Sequence, residues 1–154
     1  MDTKKDAAAV AAPPPVIFAA TLAAGLALGR ATRSDGGGSL ARLLGIASIA
    51  AGGAIGGAAI GTLKLRGSNV NPYNTTTALV TDGVFRFSRN PIYVGMTSVY
   101  IGIAMCARSL PALVLLPVAL ALLDHAVVDP EERYLAHKFG DAYRVYSDAV
   151  PRWF

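Results

Sequence analysis

Apolar positions in this chain do not alternate with polar ones at a strand or helix period. They run together in four blocks, at about 10–29, 40–63, 91–107 and 110–128. Each block reaches or approaches the ~20 residues that cross a bilayer core as a helix. The blocks are apolar on every side, the pattern of helices in lipid, where the backbone must satisfy its own hydrogen bonds. The first and third carry no charge, the second has only Arg42 near its start, and the fourth has only Asp124 and His125 near its end. The pattern predicts an all-α integral membrane protein of about four transmembrane helices, forming one domain over 1–154. A cleaved signal peptide is the rival reading of the first block. Lys4 and Lys5 precede it, but Asp2 and Asp6 dilute that charge and the run is long for the role.

Two polar stretches remain, a loop at 64–90 and a tail at 129–154, and charge sets their side of the membrane. Lys4, Lys5, Lys64, Arg66, Arg86, Arg89, Arg133, Lys138, Arg144 and Arg152 would share one side, against Arg30, Arg33, Arg42 and Arg108 on the other. The positive-inside rule then puts both termini, the loop and the tail in the cytoplasm. Composition fits: of 154 residues 53% are hydrophobic and 16% charged, and the net charge of +4 is scattered among the loops. A dense nucleic-acid-binding patch is therefore not expected. Cys106 is the single cysteine, which excludes an internal disulfide and a Cys-rich zinc site. It reads as a packing residue within the third block, and His137 as an exposed one.

Glycine marks the second block. Gly45, Gly52, Gly53, Gly56, Gly57 and Gly61 line it, with Gly53, Gly57 and Gly61 at four-residue spacing. A face of nearly bare backbone lets another helix approach closely, and packing inside the bundle is favoured over a homodimer seam. Asp35-Gly-Gly-Gly38 reads as a flexible external loop.

The candidate chemistry lies in the loop and tail. Structureless loops of about 27 residues are unusual and often functional. Here the loop runs from Asn71-Pro-Tyr-Asn-Thr-Thr-Thr77, through an Asp82-Gly83 turn, to Arg86, Arg89, Asn90 and Pro91. Asn90 and Pro91 suit the N-cap and first residue of the third helix, whose positive end would face an anion beside Arg86 and Arg89. The rival view makes those arginines membrane-flanking anchors. In the tail, Asp129, Pro130 and Glu132 have the spacing of a capping box. Capping does not explain why Glu131 and Glu132 lie so near Asp124 and His125, and ionisable groups beside a span are functional candidates. His125, Asp129 and Glu132 lack a further strong ligand, so no metal site is assigned. Leu135, Phe139 and Tyr143 form the apolar stripe of an amphipathic tail helix, with Trp153 and Phe154 as interfacial anchors.

Loop and tail together resemble the membrane methyltransferase family that includes isoprenylcysteine carboxyl methyltransferases and phospholipid N-methyltransferases. The resemblance rests on Leu79-Val-Thr-Asp-Gly83 and Arg89-Asn-Pro-Ile-Tyr-Val-Gly95. It continues in Glu131, Glu132, Leu135, Phe139-Gly140, Tyr143, Tyr146 and Val150-Pro151. It covers about half the chain and implies S-adenosylmethionine as cofactor, held between the loop, the helix ends and the tail. Carried over by position, Arg89, Asn90, Pro91, Tyr93 and Gly95 would border the cofactor. Glu131 or Glu132 would bind its α-amino group or organise the site, with His125 in the same set. Arg89 and Glu132 are the catalytic candidates, Arg89 for fixing the donor carboxylate or steering a charged acceptor. Asn90 stands where the family usually has His: if that His gives a hydrogen bond, Asn can replace it, and if it acts as a base, the reaction here should not require one. Methyl transfer from a sulfonium is chiefly a positioning problem. A carboxylate acceptor needs no base, whereas an amine or thiol would use His125, Glu131 or Glu132.

The implied activity is methyl transfer to a lipidic or small hydrophobic acceptor at the cytoplasmic interface, with membrane lipids as partners. Sterol reductases also resemble the C-terminal region, but 154 residues leave little room for NADPH and a sterol. A four-helix transporter wants an acid deep in a span, and the first three blocks have none. A non-catalytic scaffold is the third alternative, and the intact motifs argue against it.

Overall fold

The computed structural model describes residues 12–30, 38–69 and 76–153. Lys4, Lys5, Arg33, the loop at 35–37, Asn71–Thr75 and Phe154 lie outside the described residues. Helices occupy all four apolar blocks: α1 (Pro14–Arg30), α2 (Ser39–Leu65), α3 (Pro91–Cys106) and α4 (Leu110–Leu123). A π-helical turn, Asp124–Val128, carries α4 into α5 (Asp129–Phe139), and α6 (Asp141–Ala149) follows. No strand occurs among the described residues.

Two of these helical runs are long and apolar enough to cross a membrane, Ser39–Leu65 and the continuous Leu110–Phe139. The other two expected spans, α1 and α3, are apolar but only 17 and 16 residues long. At 1.5 Å per residue they reach ~25 Å, short of a ~30 Å hydrocarbon core. The 30 residues of Leu110–Phe139 would reach ~45 Å, but charge begins at Asp124, so the apolar length ends before α5. Leu43, Leu44, Ile46, Val114, Val118 and Leu122 are exposed on the outer faces of α2 and α4. Apolar surface on that scale suits lipid contact better than water.

Helix α1 packs along α4, and α2 along α3. Glycine makes the second contact close. A Cβ on Gly95 would lie 2.6 Å from the Gly52 carbonyl oxygen, and one on Gly102 would lie 2.5 Å from that of Gly45. Ser48 Oγ donates to the Ser98 carbonyl across the same seam at 2.7 Å. Gly53, Gly57 and Gly61, expected to pack, instead have nothing within 4 Å of a built Cβ. The reason is angular: seven residues nearly close two helical turns, aligning Gly45 with Gly52, whereas four-residue steps drift ~40° each. At the α1–α4 contact Gly25 lies against the Ala112 backbone. There Ser109 Oγ donates to Gly25 O at 2.8 Å and caps α4 by accepting from Ala112 N at 3.3 Å. Phe18, Tyr100, Leu123, Val127 and Val128 form the buried centre.

Two local expectations change. Asp129 does not cap a new helix. Its backbone is helical (φ −61°, ψ −44°), its N–H bonds to Asp124 O, and no side-chain cap forms at this junction. Pro130 lacks an N–H and resists a regular helix interior, and the wider π turn immediately before it accommodates that loss. The amphipathic tail is two helices, because Gly140 takes φ +54° and separates Leu135 and Phe139 on α5 from Tyr143 on α6. Trp153 is partly buried and packs against the core cluster. The Asp82-Gly83 turn does form: Gly83 has φ +59° and opens a short 3-10 turn, Gly83–Arg86, that buries Phe85 against Ala59 and Val80. Arg66 pairs with Asp82 at its base.

Candidate active site

Helix α3 begins where expected, at Pro91, with Asn90 in the N-cap position. Asn90 does not cap with its side chain; its Nδ2 donates to the carbonyl of Arg152 at 3.2 Å. Ser88 Oγ donates to the same carbonyl at 3.0 Å, and Arg89 N donates to Pro151 O at 3.0 Å. Ser88 to Asn90 are thus stitched to the segment after α6, which turns the Arg89 side chain toward α5.

Helix α5 brings an acid to meet it. Arg89 Nη1 lies 3.1 Å from Glu132 Oε1, and both side chains are mostly buried, at 16% and 17% exposure. Arg89 Nη1 also donates to Tyr143 OH at 3.4 Å. Arg152 grips the other side of Glu132 with two bonds, Nη2 to Oε2 at 2.6 Å and Nε to Oε1 at 3.2 Å. It also reaches Asp129 at 3.1 Å and Asp124 at 3.7 Å. Forked charge-assisted contacts of this kind are the strong ones. Arg89 Nε is buried with no hydrogen-bond partner among the described residues.

Glu131 faces differently. Tyr93 OH donates to its Oε1 at 2.8 Å. Burial pushes the Glu131 carboxyl up to about 7; the Tyr93 hydrogen bond opposes that shift and the charge of Glu132 adds to it. Burial likewise raises the Tyr143 hydroxyl, and pushes that of Tyr146 up to about 12. Tyr146 OH donates to Phe85 O at 2.8 Å, fixing α6 to the 3-10 turn.

Most of these groups line one open cavity of about 140 Å³. Arg89, Asn90, Pro91, Tyr93, Glu131 and Glu132 all border it, six of the eight residues singled out from the sequence. Apolar walls come from Leu79, Val80, Ile92 and Leu135. The other two stand apart. Gly95 is buried in the α2–α3 seam. His125 is 84% exposed, pairs with Asp129 at 3.4 Å, and is not among the cavity residues. A second, apolar hollow of about 550 Å³, also open, lies between α1, α2 and α3. Phe18, Leu22, Gly52, Gly57, Met96 and Tyr100 border it, and Ile92 and Tyr93 belong to both spaces.

Sequence reasoning missed Arg152, Ser88 and the contact of Tyr143 with Arg89. Val150-Pro151 carries part of the family resemblance, yet Arg152 beside it reads from sequence only as loop charge. In chemical terms the site offers a buried cation paired to a fixed carboxylate, a second carboxyl that titrates near neutrality, and apolar walls on both sides of Tyr93.

The family model for phospholipid methyltransferases matches residues 40–142. The Protein-S-isoprenylcysteine O-methyltransferase of Schizosaccharomyces pombe is 33% identical over 78 residues. That match covers 51% of this chain and 33% of the yeast protein, so the chain spans about a third of its relative's length. No solved structure matches.

Proposed function

Because the chain belongs to the phospholipid methyltransferase family, we propose that it is a membrane methyltransferase using S-adenosylmethionine and a lipidic or small hydrophobic acceptor. The observation that carries this reading is the placement of Tyr93. A charged cavity holding Arg89, Glu131 and Glu132 and an apolar hollow between α1, α2 and α3 are both bordered by Tyr93. One space suits a polar donor and the other a greasy acceptor.

The residues fit the donor. Arg89 Nε, buried and unbonded, is a donor waiting for an oxygen acceptor, and a burial of that kind is costly unless something fills it. Arg89 would hold the α-carboxylate, Glu132 or Glu131 the α-amino group, and Leu79, Val80 and Leu135 would cover the apolar part. Asn90 and Pro91 border the same space, with Asn90 holding the Arg152 carbonyl in place of any proton transfer. S-Adenosylmethionine supplies a methyl group on a positively charged sulfur, with a neutral thioether as leaving group.

The chain's own work is then to align, to exclude water and to move a proton. Alignment alone can supply much of the rate for such a displacement. Tyr93, bordering both spaces, would pack beside the reacting centre. For an acceptor that must lose a proton, Glu131 is the base: it titrates near 7, where a base works best. Exposed His125 is not used for this.

In the bilayer, all four helices α1–α4 would lie within the apolar layer, α1 and α3 being accommodated by local thinning or by flanking residues. The cavity end and both termini face the cytoplasm, a placement supported by the excess of basic residues on that side. The test is a transfer assay with methyl-labelled S-adenosylmethionine, the reconstituted protein and a panel of prenylated thiols, phospholipids and hydrophobic amines. Label should enter the organic phase with at least one acceptor and fall at least ~10-fold with Glu132→Gln. No transfer to any acceptor above a protein-free control would refute the reading.

A further inference from the structure

Residue 152 is where three parts of the molecule are tied together. Its carbonyl accepts from Ser88 Oγ and Asn90 Nδ2, in the turn that carries Arg89. The carbonyl just before it, of Pro151, accepts from Arg89 N. Its guanidinium spans the π turn and the first turn of α5, touching Asp124, Asp129 and both oxygens of Glu132. The side chain is one-third exposed and borders neither cavity wall. So it touches nothing that would occupy the cavity, yet it holds the one carboxylate that Arg89 also holds.

We propose that Arg152 is a positioning residue, fixing the Glu132 carboxylate and fastening the segment 150–153 across Ser88–Asn90 so that Arg89 and Glu132 face the cavity as a preset pair. The geometry of Glu132 makes the argument. Its Oε1 is shared between Arg89 Nη1 at 3.1 Å and Arg152 Nε at 3.2 Å, while Oε2 is taken by Arg152 Nη2. Without the second fork, Glu132 is free to turn both oxygens onto Arg89, closing an internal ion pair and removing both groups from a ligand. Asp124 and Asp129 would at the same time lose their shared counter-charge, since His125 reaches only Asp129. The inference rests on the donor-site reading for its effect on binding, but the fastening itself does not depend on any ligand.

The discriminating variant is Arg152→Lys, which keeps a positive charge among the three acids but cannot make a planar fork. The probe is S-adenosylhomocysteine, titrated calorimetrically into the detergent-purified full chain, alongside thermal melting and amide exchange at Arg89. Arg152→Lys should melt close to the wild-type temperature yet bind about 10- to 100-fold more weakly, the cost of a sub-ångström misplacement in a preorganised site. In a Glu132→Gln background the same change should add nothing further, because the group it positions is already gone. Exchange at the Arg89 amide, bonded to Pro151 O, should quicken in Arg152→Met. Wild-type affinity in Arg152→Lys, or losses that simply add in the double variant, would overturn the proposal. If wild type binds no S-adenosylhomocysteine, the donor reading fails by itself. Arg152 is then judged on exchange: quickening at Arg89 in Arg152→Met supports the fastening, and an unchanged rate overturns it.

Discussion

Glu131 and Glu132 are adjacent in sequence and opposite in circumstance. Glu132 sits between two arginines, whereas Glu131 is buried beside Tyr93 with its carboxyl pushed from 4.5 up to about 7. An acid whose folded pKa is raised favours the folded state when protonated. Its contribution is therefore fully present below about pH 4.5 and lost as pH rises through about 7. The difference amounts to roughly 3 kcal/mol once both states are ionised. Melting temperature should fall over that window in the wild type, and Glu131→Gln should flatten the fall; parallel curves would deny Glu131 the raised pKa. In the transfer assay, activity with an acceptor that must lose a proton should rise through about pH 7, and Glu131→Gln should abolish that limb. Arg89→Ala removes a charge-assisted contact worth ~1.5–3 kcal/mol. S-Adenosylhomocysteine affinity should drop about 10- to 100-fold, and an unchanged affinity would take Arg89 out of the donor site. These residues could be picked from the sequence because Arg89, Pro91, Tyr93, Glu131 and Glu132 stand in motif order. His125 was drawn in by proximity along the chain, and the π turn points it outward. Arg152 was overlooked because one arginine in a basic tail carries no signal until folding gathers Asp124, Asp129 and Glu132 around it.

Among the elements, hydropathy located α1 to α4 to within a few residues, since long apolar runs admit little else. It could not say which glycines pack, because that depends on the rotation of α2 against α3. The two sets should separate under substitution. Gly95→Ala drives a methyl into the α2 backbone at Gly52 and Gly56, neither of which has a side chain to move aside. That overpacking should cost about 1–3 kcal/mol. Gly57→Ala meets nothing within 4 Å and replaces a poor helix former, so stability should hold or rise by up to ~1 kcal/mol. Thermal unfolding in one detergent compares them directly, and equal losses would contradict the seam. The break at Gly140 and the π turn were hidden for a different reason. Leu135, Phe139 and Tyr143 keep a helical spacing straight through Gly140, and the Asp129–Glu132 pattern imitates a cap that tertiary contacts override.

For the molecule as a whole, the arrangement is a helical bundle whose polar end is closed by the tail. The loop before α3, the start of α3, α5 and α6 each contribute lining to the cavity, and α1, α2 and α3 leave an apolar hollow beside it. Class and family were legible because hydropathy and motif order survive without geometry. The sharing of Ile92 and Tyr93 by the two spaces was not, since the N-terminal half reads only as Ala, Gly and Leu. The central claim is that the charged cavity holds the methyl donor, and the most direct test is calorimetric titration of the purified protein with S-adenosylhomocysteine. A single site is expected in the wild type, weakened about 10-fold or more by Glu132→Gln. No binding by the wild type, or equal binding by Glu132→Gln and Arg89→Ala, would contradict it.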